Sequence, residues 1–337
     1  MPPSEETVKP YGGVYAGAKV MVTGGLGFIG SALARRLVDL GAEVLVVDSL
    51  MPDYGGNPAN LSGFRERLTV SPADLRDRAA IRALVPGQRF IFNLAAQIAH
   101  LASMTEPLVD LDINAAAQLA LLEDCRALNP DVTIVYASTR QIYGRPDYLP
   151  VDEAHPVRPV DINGINKQAG EAYHLLYHRV YGMKTASLRL TNTYGPRMRI
   201  KDARQTFLGI WLRRVIEGGS FEVWEGAQKR DLTYVDDAVE AFLMAAVTPA
   251  CFGAAFNIGA PEIVTLEQLA RLVIEAAGAG SFETKSFPAE RKRIDIGDYW
   301  ADDRRFRAAT GWAPRVGLRE GLARSLDYFK ANFADYV

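Results

Sequence analysis

The chain has 337 residues, which at roughly 150 per domain allows about two domains or one large one with an appendage. Hydrophobic residues make up 48% and charged residues 23%, the composition of an ordinary globular protein, which argues against disorder. Lys plus Arg number 38 against 40 Asp plus Glu, so the net charge of -2 gives no electrostatic footprint for nucleic acid or an anionic membrane.

In chain order, residues 1–16 carry acids and prolines where a signal peptide would have an apolar core, and read as a flexible arm on a cytoplasmic protein. AKVMVT (18–23) is a strand, and the spacing of Ile29, Leu33, Leu37 and Leu40 predicts a helix over 28–40 that Gly41 stops. Further strands fall at 43–48, 68–70, 89–96, 132–138 and 184–190, with helices at 77–84, 107–127 and 164–180. Apolar strands alternating with helices imply an α/β fold: a Rossmann-type doubly wound parallel sheet over residues 17–195. Beyond it the strands shorten (221–226, 256–259) and helices at 235–247, 265–277 and 317–333 dominate. Residues 196–337 therefore read as a smaller mixed α/β substrate lobe on the strand ends, with some crossing of the chain between lobes. No apolar run approaches the roughly 20 residues of a membrane span. Cys125 and Cys251 sit in no disulfide-framework or zinc-like spacing.

The segment VTGGLGFIGSALARRL follows a strand and opens a helix. Gly25, Gly27 and Gly30 fit one dinucleotide-binding spacing, and Gly24, Gly27 and Gly30 another. Glycines here permit a tight turn, a close approach of backbone N–H groups to a pyrophosphate, and helix–strand packing. Asp48 ends the second strand, where a carboxylate accepts hydrogen bonds from ribose hydroxyls and repels a 2′-phosphate, favouring NAD over NADP. Asp74 after the third strand and Ala95 and Ala96 after the fourth are placed to meet the dinucleotide, or else are a turn aspartate and core alanines.

The chain resembles the extended short-chain dehydrogenase/reductase family, the nucleotide-sugar epimerases and dehydratases, from about residue 18 to 330. The resemblance rests on TGGLGFIG (23–30), Asp48, NLAA (93–96), STRQIYG (138–144), Lys167 with AGE (169–171), RLTNTYGPR (189–197), RDLTYVDDAVEA (230–241), FNIG (256–259) and GWAP (311–314). It implies NAD as cofactor and adds Phe28, Ile29 and Leu75 to the cofactor set of Gly24, Gly27, Gly30, Asp48, Asp74, Ala95 and Lys167. It also implies a Ser or Thr that bonds the reacting sugar oxygen, here Thr139, and a Tyr-x-x-x-Lys pair whose lysine is Lys167. Four positions before that lysine stands Asn163, so the expected tyrosine is absent. Asparagine does not titrate. Three readings follow: another group replaces the tyrosine, with Lys167 itself, a water or Tyr143 as candidates; the chemistry differs; or the protein binds without turnover. Asn163 then contacts substrate or only caps its helix.

Dehydratases of the family follow the threonine with Asp and Glu; here Arg140 and Gln141 stand there, which counts against a standard 4,6-dehydratase. Arg140 is placed to pair with a substrate carboxylate or hydroxyl, or else is a solvated loop arginine. The resemblance assigns the nucleotide-sugar diphosphate to Asn192 and Arg230, and a second phosphate arginine to Arg291 or Arg293, with Arg293 preferred and Arg204 adding charge. It implies a homodimer through the helices near 107–127 and 164–180. Glu171, His174 and His178 share a helix face and read as a solvated or subunit-facing surface rather than a metal triad, and Trp224, Trp300 and Trp312 as packing residues. The expected function is a nucleotide-sugar epimerase that forms a transient keto-sugar and returns the hydride to it. The alternatives are an atypical dehydratase or dehydrogenase, or an impaired NAD and nucleotide-sugar binding protein.

Overall fold

A computed structural model of the chain describes residues 11–52, 54–202 and 206–337. The strands are β1 (Lys19–Thr23), β2 (Glu43–Val47), β3 (Thr69–Ser71), β4 (Phe90–Asn93), β5 (Thr133–Thr139), β6 (Lys184–Leu190), β7 (Asn192–Tyr194), β8 (Ser220–Trp224), β9 (Lys229–Tyr234), β10 (Ala255–Ile258), β11 (Ile263–Thr265) and β12 (Ser281–Lys285). The helices are α1 (Phe28–Asp39), α2 (Arg78–Leu84), α3 (His100–Thr105), α4 (Pro107–Leu111), α5 (Ala117–Leu128), α6 (Ile162–Tyr181), α7 (Phe207–Ile216), α8 (Val235–Val247), α9 (Leu266–Ala277), α10 (Ala289–Lys292), α11 (Arg304–Thr310) and α12 (Leu318–Ala331). Seven strands form one parallel sheet in the order β10-β6-β5-β4-β1-β2-β3. It is Rossmann-like, with helices on both faces.

A strand buried on both faces sends alternate side chains to opposite layers. Val20, Val22, Phe92 and Val135 pack into one hydrophobic cluster, which also takes Leu33 of α1 and Phe242 of α8. Their neighbours Met21, Ile91 and Ile134 pack into the other, with Ile81 of α2 and Leu121 of α5. The strand order reverses between β1 and β4, which are paired at Val20–Phe90 and Thr23–Asn93. That reversal opens a crevice at their carboxyl ends, the place where open α/β sheets bind ligands. β10 comes from the second half of the chain yet completes the edge of the main sheet against β6. A smaller three-stranded mixed sheet, β11-β9-β7, and the pair β12-β8 are also present.

Three sequence expectations change. Residues 11–16 are not a loose arm: Tyr11 and Tyr15 are buried, Tyr15 Oη donates to Leu243 O at 2.7 Å, and Tyr11 Oη donates to Glu240. Two aromatic rings meeting a core outweigh a loop-like composition; residues 1–10 lie outside the described residues. The helix expected over 107–127 is interrupted by a π-helical turn at Asp112–Ala116. Helix α7 and strand β9 were not anticipated. Among the described residues no helix is long and apolar enough to cross a membrane.

Candidate active site

The crevice starts at the β1–α1 turn. Gly24 has φ +67, and a Cβ there would come within 2.9 Å of Ala95 N. A Cβ on Gly30 would sit 2.2 Å from Gly24 O. Gly24, Gly27 and Gly30 line the crevice, whereas Gly25 backs onto Val46. The second glycine spacing is therefore the one that faces the ligand. Phe28, Ile29, Asp48, Asp74, Leu75, Ala95 and Lys167 line the same cavity of about 300 Å³. Thr23 fixes the far wall: its Oγ1 donates to Asn93 Oδ1 (2.9 Å) and accepts from Leu94 N and Ala95 N (both 3.1 Å). Asp48 accepts from Leu26 N at 3.0 Å and Leu50 N at 2.9 Å. Burial raises its carboxyl, against the pull of those two N–H groups. A carboxylate with about four acceptor sites keeps two for ribose hydroxyls. Asp74 is held below its ordinary range by Arg76, 2.7 Å away. This glycine-lined, backbone-walled crevice fits a dinucleotide.

At the inner end of the crevice stand Thr139, Asn163 and Lys167. Thr139 ends β5, and its Oγ1 accepts from Gln141 N at 3.2 Å while its hydroxyl proton stays available. Lys167 is buried; Nζ donates to Ala137 O at 2.5 Å and lies 4.3 Å from the centre of the Tyr136 ring. Burial pulls its ammonium down to about 7, opposed by Asp110 and Glu171. Asn163 does not cap α6: Asp161 does, accepting from Gly164 N at 2.6 Å. The Asn163 amide points inward and donates to Gln97 O (2.7 Å) and to Asp110 Oδ2 (3.0 Å). Asn166 donates to the other Asp110 oxygen at 2.8 Å. Asn114, in the π-turn, clamps Gln97 from the other side, at 3.1 Å and 2.9 Å. Thus the position of the missing tyrosine braces the crevice wall.

Tyr143 is not beside the crevice. It is fully buried with Tyr299 and Ile142, accepts from Arg189 Nη1 at 2.6 Å and donates to Asn257 Oδ1 at 2.7 Å. Burial pushes its phenol up to about 12 despite Arg189. Tyr143 is therefore corrected from candidate base to part of the core. The helix face carrying Glu171 and His174 is also buried: Glu171 pairs with Arg189 at 2.6 Å, and His174 Nδ1 faces Gly170 O at 2.7 Å. Burial draws the His174 ring down to about 4. His178 Nδ1 faces Met183 O at 2.8 Å. These side chains hold α6 on the sheet rather than facing solvent.

The crevice opens into a second cavity of about 1390 Å³ between the ends of the main sheet and the residues around β8 and β9. Gln97, His100, Arg140, Gln141 and Asn192 line both. Arg140 lies over the Tyr299 ring at 5.2 Å, and its Nη1 is buried without a hydrogen-bond partner, as is Asn192 Oδ1. Nearby Asp231 is fully buried, and burial pushes it up to about 7. Arg230 reaches the cavity, but its guanidinium is held by Lys229 O (2.9 Å), Gly297 O and Gln228 Oε1 (3.1 Å). Burial and the Arg140 charge draw it down to about 10. Of the two candidate phosphate arginines, Arg291 lines the cavity, 4.7 Å over the Trp224 ring, while Arg293 is exposed outside it. The one-turn helix α10 turns Arg291 inward and Arg293 away. Trp224 and Phe287 line the cavity too, their rings 5.5 Å apart, so Trp224 is more than a packing residue. Trp312 is buried. Arg204 lies outside the described residues. Sequence reasoning missed His100 and Tyr54; a histidine just after a strand end was the only local signal.

Residues 20–259 match the profile of the NAD dependent epimerase/dehydratase family. The chain is 30% identical over 316 residues to the UDP-glucose 4-epimerase of Mycolicibacterium smegmatis, covering 93% of this chain and 98% of that protein. It is 30% identical over 319 residues to the dTDP-glucose 4,6-dehydratase of Streptomyces griseus, covering 92% and 93%. Its fold superposes with a TM-score of 0.81 on the UDP-glucose 4-epimerase of Thermus thermophilus in complex with NAD, at 30% identity, covering 93% of this chain and 99% of that one.

Proposed function

The chain belongs to the NAD dependent epimerase/dehydratase family, and on that premise we propose that it is a nucleotide-sugar 4-epimerase acting through a transient keto-sugar. The observation that carries this reading is the shared wall. Arg140, Gln141 and Asn192 face both the dinucleotide crevice and the larger cavity, so a sugar held there meets the crevice at Thr139. Bound NAD supplies a reversible acceptor for the hydride of a sugar carbon. Gly24, Gly27, Gly30 and Asp48 hold it, and Lys167 orients its nicotinamide ribose. The Thr139 hydroxyl donates to the reacting sugar oxygen and fixes which oxygen is presented. Lys167 adds positive charge where the alkoxide develops, in a site buried enough for that charge to count.

On the far side, Asn192 and Arg230 serve the diphosphate, with Arg291 as the second cation. The Trp224–Phe287 pair suits the flat face of a nucleobase. Epimerisation is favoured over dehydration because no carboxylate follows Thr139: Arg140 and Gln141 cannot exchange the protons that water loss needs. A homodimer through α4, α5 and α6 is supported by the exposed Leu108 and Leu111 on α4, Leu128 at the end of α5, and Ile165 and Val180 on α6.

The test is a panel of nucleotide sugars given to the NAD-loaded protein. Products are separated by chromatography and weighed. An epimer of unchanged mass is expected from at least one sugar. A product lighter by one water would turn the reading to a dehydratase, and binding without any product to an impaired binding protein.

A further inference from the structure

The epimerase reading must still place the proton of the sugar hydroxyl. Asn163 cannot take it, Tyr143 is sealed in the core, and Lys167, donating to Ala137 O, is assigned above to the nicotinamide ribose and the developing alkoxide. Among the described residues, one imidazole lines both cavities beside these groups. His100 opens α3, and α3 packs against the start of α6 through Ser103, whose Oγ donates to His100 O at 2.7 Å and accepts from Asn163 N at 3.2 Å. The backbone of His100 is therefore tied, through Ser103, to the backbone at the position where the family's tyrosine stands.

Its inner nitrogen meets a built partner. His100 Nδ1 is buried and lies 2.9 Å from Asp161 Oδ2, an ion-pair approach bent away from an ideal hydrogen bond. The Asp161 side chain is fully buried and over-determined: Gln141 Nε2 donates to it at 2.8 Å and Gly164 N at 2.6 Å. Burial pushes Asp161 up, but His100, Gly164 and Gln141 together hold it below the usual carboxylate range. The His100 side chain is 42% exposed. A carboxylate that fixes Nδ1 leaves Nε2 as the proton acceptor.

Resting on the epimerase reading, we propose that His100, oriented by Asp161, is the general base that replaces the absent tyrosine. The hydroxyl proton passes to Nε2 as the C–H bond of the same carbon breaks and its hydride goes to the nicotinamide. The oxygen becomes the ketone oxygen, and the proton returns to it when the hydride returns to the carbon. Gln141 gains a role too: it stands where dehydratases have a glutamate and here steadies the base's partner. The charged or titratable groups sharing this corner are Asp161, Asp110 and Lys167 from the α4 and α6 side, Arg140 from the end of β5, and Tyr54 and Glu106 beside α3.

His100→Ala and His100→Gln are compared with the wild type, all loaded with NAD. Binding of UDP-glucose and dTDP-glucose is read by calorimetry, and turnover on whichever sugar of the panel the wild type converts. Both variants are expected to bind within about threefold of wild type and to lose about 10²–10⁴-fold in kcat. Free imidazole should restore His100→Ala at least tenfold and leave His100→Gln, whose amide fills the space, unchanged. Asp161→Asn, which keeps the helix cap, should lower kcat with KM unchanged. Turnover of His100→Ala within threefold of wild type, or a lost activity that imidazole does not restore, overturns the assignment. A wild type that binds and converts no nucleotide sugar overturns the underlying reading and the base with it, a result distinct from an active wild type with an active His100 variant.

Discussion

The dinucleotide crevice and the larger cavity beside it meet at Thr139 and Arg140, yet they are built from different materials. The crevice is walled by backbone: its glycines are needed because a Cβ would strike Ala95 N or Gly24 O. The cavity is walled by long side chains that come from the turn after β5 and from β7, α7, β8, β9 and α10. A backbone site tolerates almost no change at its close approaches and is specified within one short segment. A side-chain site is assembled by tertiary packing, each cation contributing a modest share, and tolerates exchange. Substitutions on the two sides should therefore differ in size and in kind.

Among substitutions in the two cavity walls, the largest effect is expected at Lys167, on the seam. Lys167→Met should lower kcat by about 10²–10³-fold and weaken NAD binding, read by calorimetry and steady-state kinetics. It should also change the pH dependence of stability. Wild-type Lys167 titrates near 7 in the fold against its ordinary 10.5, so the unfolded chain holds its proton across that window. Wild-type stability relative to Lys167→Met should therefore rise with pH from about 7 to 10, by at most about 1.4 kcal/mol per pH unit, in urea titrations of the NAD-free protein. A flat difference would mean the ammonium stays charged in the fold. Next comes Gly30→Ala: a Cβ 2.2 Å from Gly24 O must displace backbone. It should cost about 3 kcal/mol and at least tenfold in NAD affinity. Asn163→Leu should cost about 1–3 kcal/mol, because Gln97 O and Asp110 lose a buried donor. Stability unchanged there would deny the brace.

The same contrast explains what the sequence revealed. Gly24, Gly27 and Gly30 of the motif line the crevice, because the steric demands of a β-turn-α unit are local; Gly25, which fitted the other spacing, does not. The parallel sheet was legible for the same reason: its strands are continuous apolar runs. Side-chain placements were harder. Tyr143 looked reactive in a VYG-like turn, and only packing with Tyr299 and Asn257, more than a hundred residues away, reveals it as core. Glu171 looked solvated on its helix until β6 brought Arg189 to it. His100 carried no motif; its meaning comes from Asp161. Tyr11 and Tyr15 looked like arm residues because nothing local shows the pocket they fill.

The smallest expected effect sharpens the contrast most directly. Arg291 and Arg293 are two residues apart and have the same charge, so no local rule separates them. In the fold, Arg291 stacks over Trp224 inside the cavity, and Arg293 points outside it. If the cavity binds the diphosphate through cations placed by packing, Arg291→Ala should raise the Kd for a nucleoside diphosphate by about tenfold, near 1.4 kcal/mol. Arg293→Ala should leave it within twofold. The loss at Arg291 should shrink as salt is raised from low to physiological ionic strength, because a partly exposed phosphate–guanidinium contact is screened. Equal losses at both positions would mean that only net charge near the mouth matters. No loss at either would leave the diphosphate to Arg230 and Asn192 and reduce Arg291 to a lid over the Trp224 ring.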